Sequence, residues 1–484
     1  MKDATDYALA LKNGTLSIDE VLKIIVQKAQ VNKELNAFIH DFDIDGAKRD
    51  YKKTKDGIFG GLPVPLKILG QNKAGWPATS ASRIFKDAKA SKSNNYVKAL
   101  QKSGLTPFGQ TNAPEFGFKN ITDPTLYGPS RNPWNLSHSP GGSSGGAAAA
   151  VAAGIFPLAG ASDGGGSIRI PASFSGLIGL KPTRGTIPTG PDSWRDWQGA
   201  AINFALTISM RDTEKLFYSI RGQHPAAPYQ APQSEWERRP LKNKLKIAYT
   251  TTSPVGSKVS PDAKKAVADA VVFLEKLGHE VVEINYPLDG HRLISDYYKM
   301  NGAETAAMFA DIEQGIGRAV TKEDMEPMTW GIYQAGLKTP AAKYVATLQN
   351  WDRAAFVMEE LFKNYDLFLT PTTAYSAPKI DAKLQSEVIF QKLAQAEELN
   401  EIQADELVYE MFEKSLALSP FTQLANLTGE PAISLPTFIT PAGLPLGIQF
   451  MAAKGREDLL FQIGKIFESE GQFRLPKAYQ NEAF

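Results

Sequence analysis

Apolar residues recur with helical spacing in one well-bounded stretch near the middle of the chain, between Ser260 and Gly278. Ser260 is a favourable N-cap, Pro261 suits the first helical position and Gly278 is a typical helix stop. The apolar positions of this stretch share one helical face: Ala263, Val267, Ala270, Val271, Leu274 and Leu277. Short apolar runs at 245–249 and 281–284 flank it and have the length of buried strands. The pattern predicts a β-α-β unit and therefore an open α/β sheet.

The rest of the chain alternates between helical and strand-like patterns. Residues 5–31 predict two helices, the second of which begins with a capping box formed by Ser17 and Glu20. Further strands are predicted at 60–68, 105–109 and 366–370 and in two apolar runs near the C-terminus; further helices are predicted at 94–103, through most of 290–365, in the acidic segment 380–418 and at 457–468. No internal repeat or clear linker divides these elements, so the pattern indicates a single α/β unit.

Glycine is most concentrated in residues 138–171, where two glycine-serine clusters flank an alanine-rich apolar run. The run predicts a helix at 147–153 that ends at Gly154, followed by a short buried strand at 155–158. Such clusters are often flexible linkers, but a linker does not enclose a core element. A phosphate-binding loop would need Gly-Lys-Ser/Thr after a cluster, and neither cluster has it. The clusters instead favour loops whose backbone N–H groups can face a developing negative charge.

Charge and cysteine content exclude several classes of protein. The 53 Lys and Arg residues nearly balance the 52 Asp and Glu residues, which gives no electrostatic case for a nucleic-acid partner. The absence of cysteine excludes disulfides, thiolate metal sites and a cysteine nucleophile, and the five histidines have no metal-ligand spacing. The N-terminus shows no secretion signal, and the longest apolar run, 147–161, is too short to span a bilayer. We therefore expect a cytoplasmic protein with no membrane partner.

The glycine clusters carry a resemblance that extends along nearly the whole chain. They read G-G-S-S-G-G and D-G-G-G-S-I-R-I-P, and they are accompanied by G-x-P-x-x-x-K in the strand at 60–68, by T-N-A-P-E and by G-L-I-G-L-K-P-T-R-G. Together these motifs resemble the amidase signature family of serine hydrolases. The segments R-N-P-W-N and S-I-R-I-P-A-S look most like 6-aminohexanoate cyclic dimer hydrolases and related bacterial amidases within it.

This resemblance implies the amidase signature fold, an α/β architecture with a large mixed twisted β-sheet covered by helices on both faces. One amidase domain would cover residues 1–484. Its catalytic core would lie at about 60–200 and 366–470, and the segments at about 223–365 and 380–418 would be helical and β-α-β excursions.

The resemblance also implies a Ser-Ser-Lys catalytic set, in which Ser167 is the nucleophile, Ser143 relays its proton and Lys67 is the base. A lysine is a base only when it is uncharged, and apolar neighbours such as Leu66 favour that state by desolvation. No histidine stands in a motif near the clusters, so a Ser-His-Asp triad is not expected. One departure from the family pattern is Ile68, because an acidic residue commonly follows the lysine.

The second cluster supplies the implied oxyanion hole, formed by the backbone N–H groups of Gly164, Gly165 and Gly166 together with that of the nucleophile. In the family the relay serine follows a cis peptide bond. We assign Asp163 and Arg169 structural roles in holding the loop of this cluster.

Three further residues are assigned to substrate binding: Gly142, Phe118 and Trp194. Phe118 belongs to an aromatic-rich segment before the site, whose rings either pack in the core or, for Phe118, line the acyl pocket. Trp194 lies in the loop S-W-R-D-W-Q, whose aromatic residues are expected to border the pocket.

The implied function is an amidohydrolase that cleaves a small linear or cyclic carboxamide through an acyl-enzyme, without a cofactor or metal. Its partner would be a small-molecule amide and its assembly a monomer or homodimer. The alternative is the glutamine-hydrolysing component of the tRNA-dependent amidotransferase, which releases ammonia from glutamine within a multi-subunit complex. Members of that type commonly carry Gln at the position of Ile170, and their helical segment differs from residues 339–362. A third hypothesis, a non-catalytic binding protein, conflicts with the intact catalytic set.

Overall fold

The computed structural model describes residues 3–231 and 242–480. Its strands are β1 (Leu62–Lys67), β2 (Leu105–Thr111), β3 (Ala159–Asp163), β4 (Ile178–Lys181), β5 (Ile202–Thr207), β6 (Lys246–Tyr249), β7 (Glu280–Glu283), β8 (Leu367–Pro371), β9 (Ala432–Ile439) and β10 (Pro445–Met451). Its α-helices are α1 (Ala4–Lys12), α2 (Ile18–Val31), α3 (Ile44–Thr54), α4 (Asn95–Lys102), α5 (Gly145–Ala152), α6 (Arg169–Ser175), α7 (Met210–Ile220), α8 (Pro261–Lys276), α9 (Gly290–Ile316), α10 (Pro327–Leu337), α11 (Ala341–Asn364), α12 (Glu387–Leu393), α13 (Glu401–Leu418), α14 (Gln423–Thr428), α15 (Glu457–Ser469) and α16 (Lys477–Gln480). Part of the excursion expected from residue 223, namely 232–241, lies outside the described residues. None of the helices in the two described ranges is long and apolar enough to cross a bilayer.

Eight strands form one mixed sheet in the order β3-β5-β4-β9-β10-β8-β6-β7. Neighbours are antiparallel from β3 to β8, whereas β6 runs parallel to both β8 and β7. A separate parallel pair, β1 and β2, lies against β3 at one edge of this sheet. The mixed α/β architecture agrees with the predicted fold class, and it brings the end of β1 close to the end of β3.

The predicted β-α-β unit is present as β6, α8 and β7, in which the two strands are parallel. The Ser260 hydroxyl accepts a hydrogen bond from the Ala263 N–H at 3.1 Å and so caps α8. Most of the predicted face is buried, as Ala263, Val267, Ala270 and Leu274. The prediction for Leu277 is wrong: this residue lies at the C-cap, beyond the last turn of α8, and is 41% exposed.

The alanine-rich run forms α5, which is buried at every residue. The strand predicted at 155–158 begins later, as β3 at Ala159–Asp163, because its position is set by antiparallel pairing with β5. Its sequence, A-G-A-S-D, has little intrinsic strand propensity. Ser144, just before α5, contacts the Ser162 backbone, with its hydroxyl 3.2 Å from the carbonyl oxygen and 3.3 Å from the amide nitrogen. The two glycine clusters therefore lie side by side.

Helices α9, α10 and α13 form a second apolar core together with the loop that follows β2. Phe116 of that loop packs against the buried Phe309 of α9, with ring centroids 5.6 Å apart. Glu115 fixes the same loop by accepting hydrogen bonds from the Glu326 N–H at 2.7 Å and from the Thr329 hydroxyl at 2.6 Å. The helical region is thus attached to the loop that carries Phe118.

Candidate active site

Lys67 is the last residue of β1 and is completely buried. Its neighbours Leu66 and Ile68 are buried as well, since this strand runs through the core. The Lys67 Nζ lies 2.7 Å from the Ser143 Oγ and 2.9 Å from the Ser162 Oγ. The amine is therefore held between two hydroxyl groups, one of which belongs to the predicted relay serine.

Burial lowers the pKa of Lys67 to about 7, an effect that the negative charge of Asp163 opposes. An ordinary lysine has a pKa of about 10.4, so it is almost fully charged at neutral pH. A substantial fraction of Lys67 is uncharged there, and an uncharged amine has a lone pair that can accept a proton. In that state Ser143 can donate its hydroxyl proton to Lys67, while Lys67 still donates to Ser162.

A buried ion pair holds the loop between β3 and α6, which contains the second glycine cluster. The Asp163 carboxylate accepts hydrogen bonds from the Arg169 Nε and Nη2, each at 3.0 Å, and both side chains are fully buried. Arg169 also donates to Asn426 at 2.6 Å and to Gln449 at 2.7 Å. Burial alone would raise the pKa of Asp163, but the Arg169 charge keeps it well below its usual range. This network agrees with the structural role predicted for Asp163 and Arg169.

The same network removes one of the predicted oxyanion donors. The Gly166 N–H donates to the Asp163 carboxylate at 2.6 Å, so the prediction that it faces a substrate oxygen is corrected. In the part of the chain that the structure describes, no hydrogen bond uses the N–H of Gly164, Gly165 or Ser167. These three groups remain as the donors that a bound carbonyl oxygen could meet.

A cavity of about 860 Å³ opens beside this loop. Ser143, Ser162, Gly164 and Ser167 line it, and Lys67 lies behind the first two. Much of the remaining wall is apolar or aromatic, with contributions from Leu69, Phe116, Phe118, Trp197, Met308 and Ile312. A second pocket of about 50 Å³ shares Phe118 and Ser167 with the large one. The predicted nucleophile is therefore reached from two neighbouring spaces.

The cavity carries negative charge but, among the residues described, no lysine or arginine lines it. Four carboxylates border it: those of Asp192, Asp196, Glu304 and Asp311. Burial raises the pKa of Asp196 to about 6, so it is mostly ionised at neutral pH. Within residues 3–231 and 242–480, no group of His, Asp and Glu side chains is arranged to hold a metal ion.

The three predicted substrate-binding residues differ in whether they line the cavity. Phe118 lines the cavity, and its ring stacks on Trp197 with centroids 5.9 Å apart and planes 7° from parallel. Trp194 does not line the cavity; it packs on His224, 4.7 Å between ring centroids. The turn that brings Trp197 inward has positive φ at three non-glycine residues, Asp196, Trp197 and Gln198, which no sequence pattern announces.

Gly142, also predicted to bind substrate, packs closely against another backbone segment. A Cβ atom at this position would lie 2.6 Å from the backbone nitrogen and oxygen of Ile121, so glycine is needed for the close approach of two backbone segments. Gly142 does not line the cavity. The peptide bond between Gly142 and Ser143 is cis, as the family resemblance implies.

Ser162, which contacts Lys67 and lines the cavity, was not predicted from the sequence. The residue stands immediately before Asp163 in β3, and side chains alternate along a strand. A strand placed correctly at 159–163 would have put Ser162 and Asp163 on opposite faces and shown Ser162 as a candidate. Because the strand was predicted at 155–158, Ser162 was not assigned to a strand face.

Comparison with known proteins gives a consistent result along the chain. The family model described as Amidase matches residues 20–461. A lipoamidase of Enterococcus faecalis is 38% identical over 98% of this chain, which spans 64% of that protein's length. A 6-aminohexanoate-cyclic-dimer hydrolase of Paenarthrobacter ureafaciens is 33% identical over 96% of this chain and 94% of its own length. A solved structure of 6-aminohexanoate cyclic dimer hydrolase complexed with substrate is 31% identical and superposes with a TM-score of 0.86 over 99% of both chains.

Proposed function

The chain belongs to the amidase signature family, and on that premise we propose that it works through a covalent acyl-enzyme formed on Ser167. Family membership makes it a carbon–nitrogen hydrolase that acts on non-peptide amides.

The observation that carries this proposal is the contact between Lys67 and Ser143. The two side-chain atoms are 2.7 Å apart, the lysine is completely buried, and burial lowers its pKa to about 7. An unactivated serine is a poor nucleophile at neutral pH, so a nearby base is what the reaction needs. Ser143 and Ser167 line one cavity, which supports a proton path from the Ser167 hydroxyl through the Ser143 hydroxyl to Lys67.

Acylation then proceeds by proton relay. The Ser167 Oγ attacks the amide carbonyl carbon as its proton passes to the Ser143 Oγ, and the Ser143 proton passes to the neutral Lys67. The carbonyl oxygen becomes an oxyanion, for which the N–H groups of Gly164, Gly165 and Ser167 are available donors. Lys67, through Ser143, returns a proton to the amide nitrogen. The carbon–nitrogen bond breaks, the amine leaves and an ester remains on Ser167.

Deacylation uses the same groups with water in place of the serine. Water attacks the ester carbonyl as its proton passes to the Ser143 Oγ and the Ser143 proton passes to Lys67. The carbon–oxygen bond to Ser167 breaks, and the relay returns the proton to the Ser167 oxygen. The carboxylic acid product leaves, and the enzyme regains its starting protonation.

For the substrate we propose an amide with an unbranched alkyl chain on its acyl carbon. The apolar walls of the large cavity, such as Leu69, Met308 and Ile312, suit such a chain. The names of two relatives, lipoamidase and 6-aminohexanoate-cyclic-dimer hydrolase, point to acyl groups of this kind. Among the described residues, the charged side chains that line the large cavity are all acidic, so a free carboxylate would find no basic partner there, which argues against glutamine and hence against the amidotransferase alternative.

A turnover panel tests this function: lipoamide, 6-aminohexanoate cyclic dimer, hexanamide, propanamide and L-glutamine. Hexanamide has three more methylenes than propanamide, and each buried methylene contributes about 0.8 kcal/mol, so its kcat/KM should be about 50-fold higher. L-Glutamine should be turned over least. Equal rates for hexanamide and propanamide would contradict an apolar acyl site.

The matched control is Ser167→Ala, together with covalent labelling by a fluorophosphonate. Wild type should be labelled at Ser167 and should hydrolyse members of the panel, whereas Ser167→Ala should show neither property while melting at the wild-type temperature. Retained turnover in Ser167→Ala would refute the acyl-enzyme. We further propose a monomer or homodimer, and light scattering of the purified chain checks this assembly.

A further inference from the structure

Lys67 lacks the acidic neighbour that commonly follows the catalytic lysine in the family, because residue 68 is isoleucine. The Ile68 side chain is 1% exposed and packs in a small apolar cluster with Ala81 and Ala113. Its N–H donates to the Thr111 carbonyl at 3.1 Å, which is a strand contact. Residue 68 therefore offers no polar group to position Lys67, and other contacts must hold the lysine.

Gln71, four residues after Lys67, makes these contacts. It is completely buried, and its Oε1 accepts a hydrogen bond from the Lys67 backbone N–H at 2.8 Å. Its Nε2 donates to the Ala161 carbonyl at 2.9 Å and to the Asn203 Oδ1 at 3.1 Å. The amide therefore joins the end of β1 to β3 and β5.

The placement of Gln71 links both ends of the lysine side chain. At one end Gln71 holds the Lys67 backbone, and at the other it holds Ala161, whose neighbour Ser162 contacts the Lys67 Nζ at 2.9 Å. The fit is close, because a Cβ atom at Gly160 would lie 2.3 Å from the Gln71 Oε1. Three hydrogen bonds and this close packing leave the Gln71 amide a single orientation.

We propose that Gln71 is a positioning residue for the proton relay, which sets the Lys67 amine against Ser143 and Ser162 in place of an acidic neighbour. This inference rests on the proposed role of Lys67 as the base. Gln71 does not itself line the cavity, so it acts through the groups that it binds: the Lys67 backbone, the end of β3 and Asn203. Misplacement of a catalytic group by about 1 Å can lower a rate by about 10²-fold, so loss of this clamp should reduce kcat.

The test compares Gln71→Leu with Gln110→Leu in the full chain. Gln110 is a matched control, because it is 1% exposed and its side chain binds Pro77 and His40, away from the Lys67 amine. In Gln71→Leu we expect kcat for hexanamide to fall about 10-fold or more, with KM within about twofold. Water that reaches the loosened lysine should raise its pKa, so the acid limb of the pH–kcat profile should move to higher pH.

Gln110→Leu should lower the melting temperature but leave the acid limb unmoved. A Gln71→Leu enzyme with wild-type kcat and an unmoved acid limb would overturn the proposal, as would an effect confined to KM.

If Gln71→Leu does not fold, Gln71→Glu replaces it. A carboxylate at position 71 favours the charged form of Lys67, so the acid limb of the pH–kcat profile should again move to higher pH. An unmoved acid limb counts against the proposal. Lys67→Met separates the two claims: an active Lys67→Met enzyme refutes the base itself, whereas an inactive one with a normal Gln71→Leu refutes only the positioning role.

Discussion

Two lysines of this chain, Lys67 and Lys181, occupy comparable positions in different parts of the fold. Lys67 ends β1 and Lys181 ends β4, and they are 0% and 2% exposed. Burial lowers the pKa of each to about 7. The nearby charges of Arg169 and Arg184 lower the pKa of Lys181 further, while the Asp163 carboxylate opposes the effect at both lysines.

The two lysines differ in the groups that can exchange a proton with them. Lys67 contacts the hydroxyls of Ser143 and Ser162, both of which line the cavity. Lys181 donates at 2.7 Å to the Pro182 carbonyl oxygen, which carries no proton to give. Burial prepares an uncharged amine in both places, but only the first has a hydroxyl between the amine and the substrate space. A lowered lysine pKa is therefore insufficient evidence for a catalytic base.

The largest effect is expected from Lys67→Met, which removes the amine and keeps an apolar side chain of similar length. General-base catalysis contributes about 10²- to 10⁴-fold, so kcat should fall by that factor while KM changes little. Steady-state kinetics on hexanamide measures both constants. Equal losses in kcat and in substrate affinity would mean that Lys67 only supports the fold.

An intermediate effect is expected from Ser162→Ala, which leaves Lys67 only one of its two hydroxyl contacts. The net contribution of a hydrogen bond is about 1 kcal/mol, so kcat should fall about fivefold. The same kinetic assay applies, with a thermal melt to show that the variant is folded. A loss as large as that of Lys67→Met would make Ser162, and not Ser143, the hydroxyl that carries the proton.

The smallest effect on activity is expected from Lys181→Met, whose kcat should stay within about twofold of wild type. Its effect should appear in stability instead. Between about pH 7 and about pH 10 the unfolded chain binds a proton at this lysine and the folded chain does not, so the free energy of unfolding rises with pH. Denaturant unfolding at several pH values should show this slope reduced by about 1.4 kcal/mol per pH unit. Lys67→Met should show the same reduction in the pH dependence of the free energy of unfolding. A reduction in only one of the two variants would mean that the two lysines do not share a lowered pKa.

Much of the fold was predictable because local signals and tertiary structure agree. The Ser17–Glu20 capping box and the Ser260 cap of α8 are both present, and the β-α-β unit follows from apolar spacing. The position of β3 was not predictable, because alanine, glycine and serine carry little strand preference and the pairing with β5 decides it.

The candidate site was predictable where it depends on motifs and not where it depends on contacts across the sheet. Motifs identified Lys67, Ser143 and Ser167 as candidates. They could not show that the Gly166 N–H is taken by Asp163, nor that Trp197 and not Trp194 faces the cavity. No motif marks Gln71 in the sequence, because its proposed role depends on hydrogen bonds to β1, β3 and β5.

A single measurement tests Lys67 as the base: the rate at which a fluorophosphonate labels Ser167, measured as a function of pH. This rate reports activation of the serine hydroxyl and does not require the natural substrate. Because the pKa of Lys67 is lowered to about 7, labelling should rise with pH through about 7 and then level off in wild type and in Lys181→Met. In Lys67→Met the rate should be low at every pH. A wild-type rate that is constant between about pH 5 and about pH 9, or one that rises identically in Lys67→Met, would contradict Lys67 as the base.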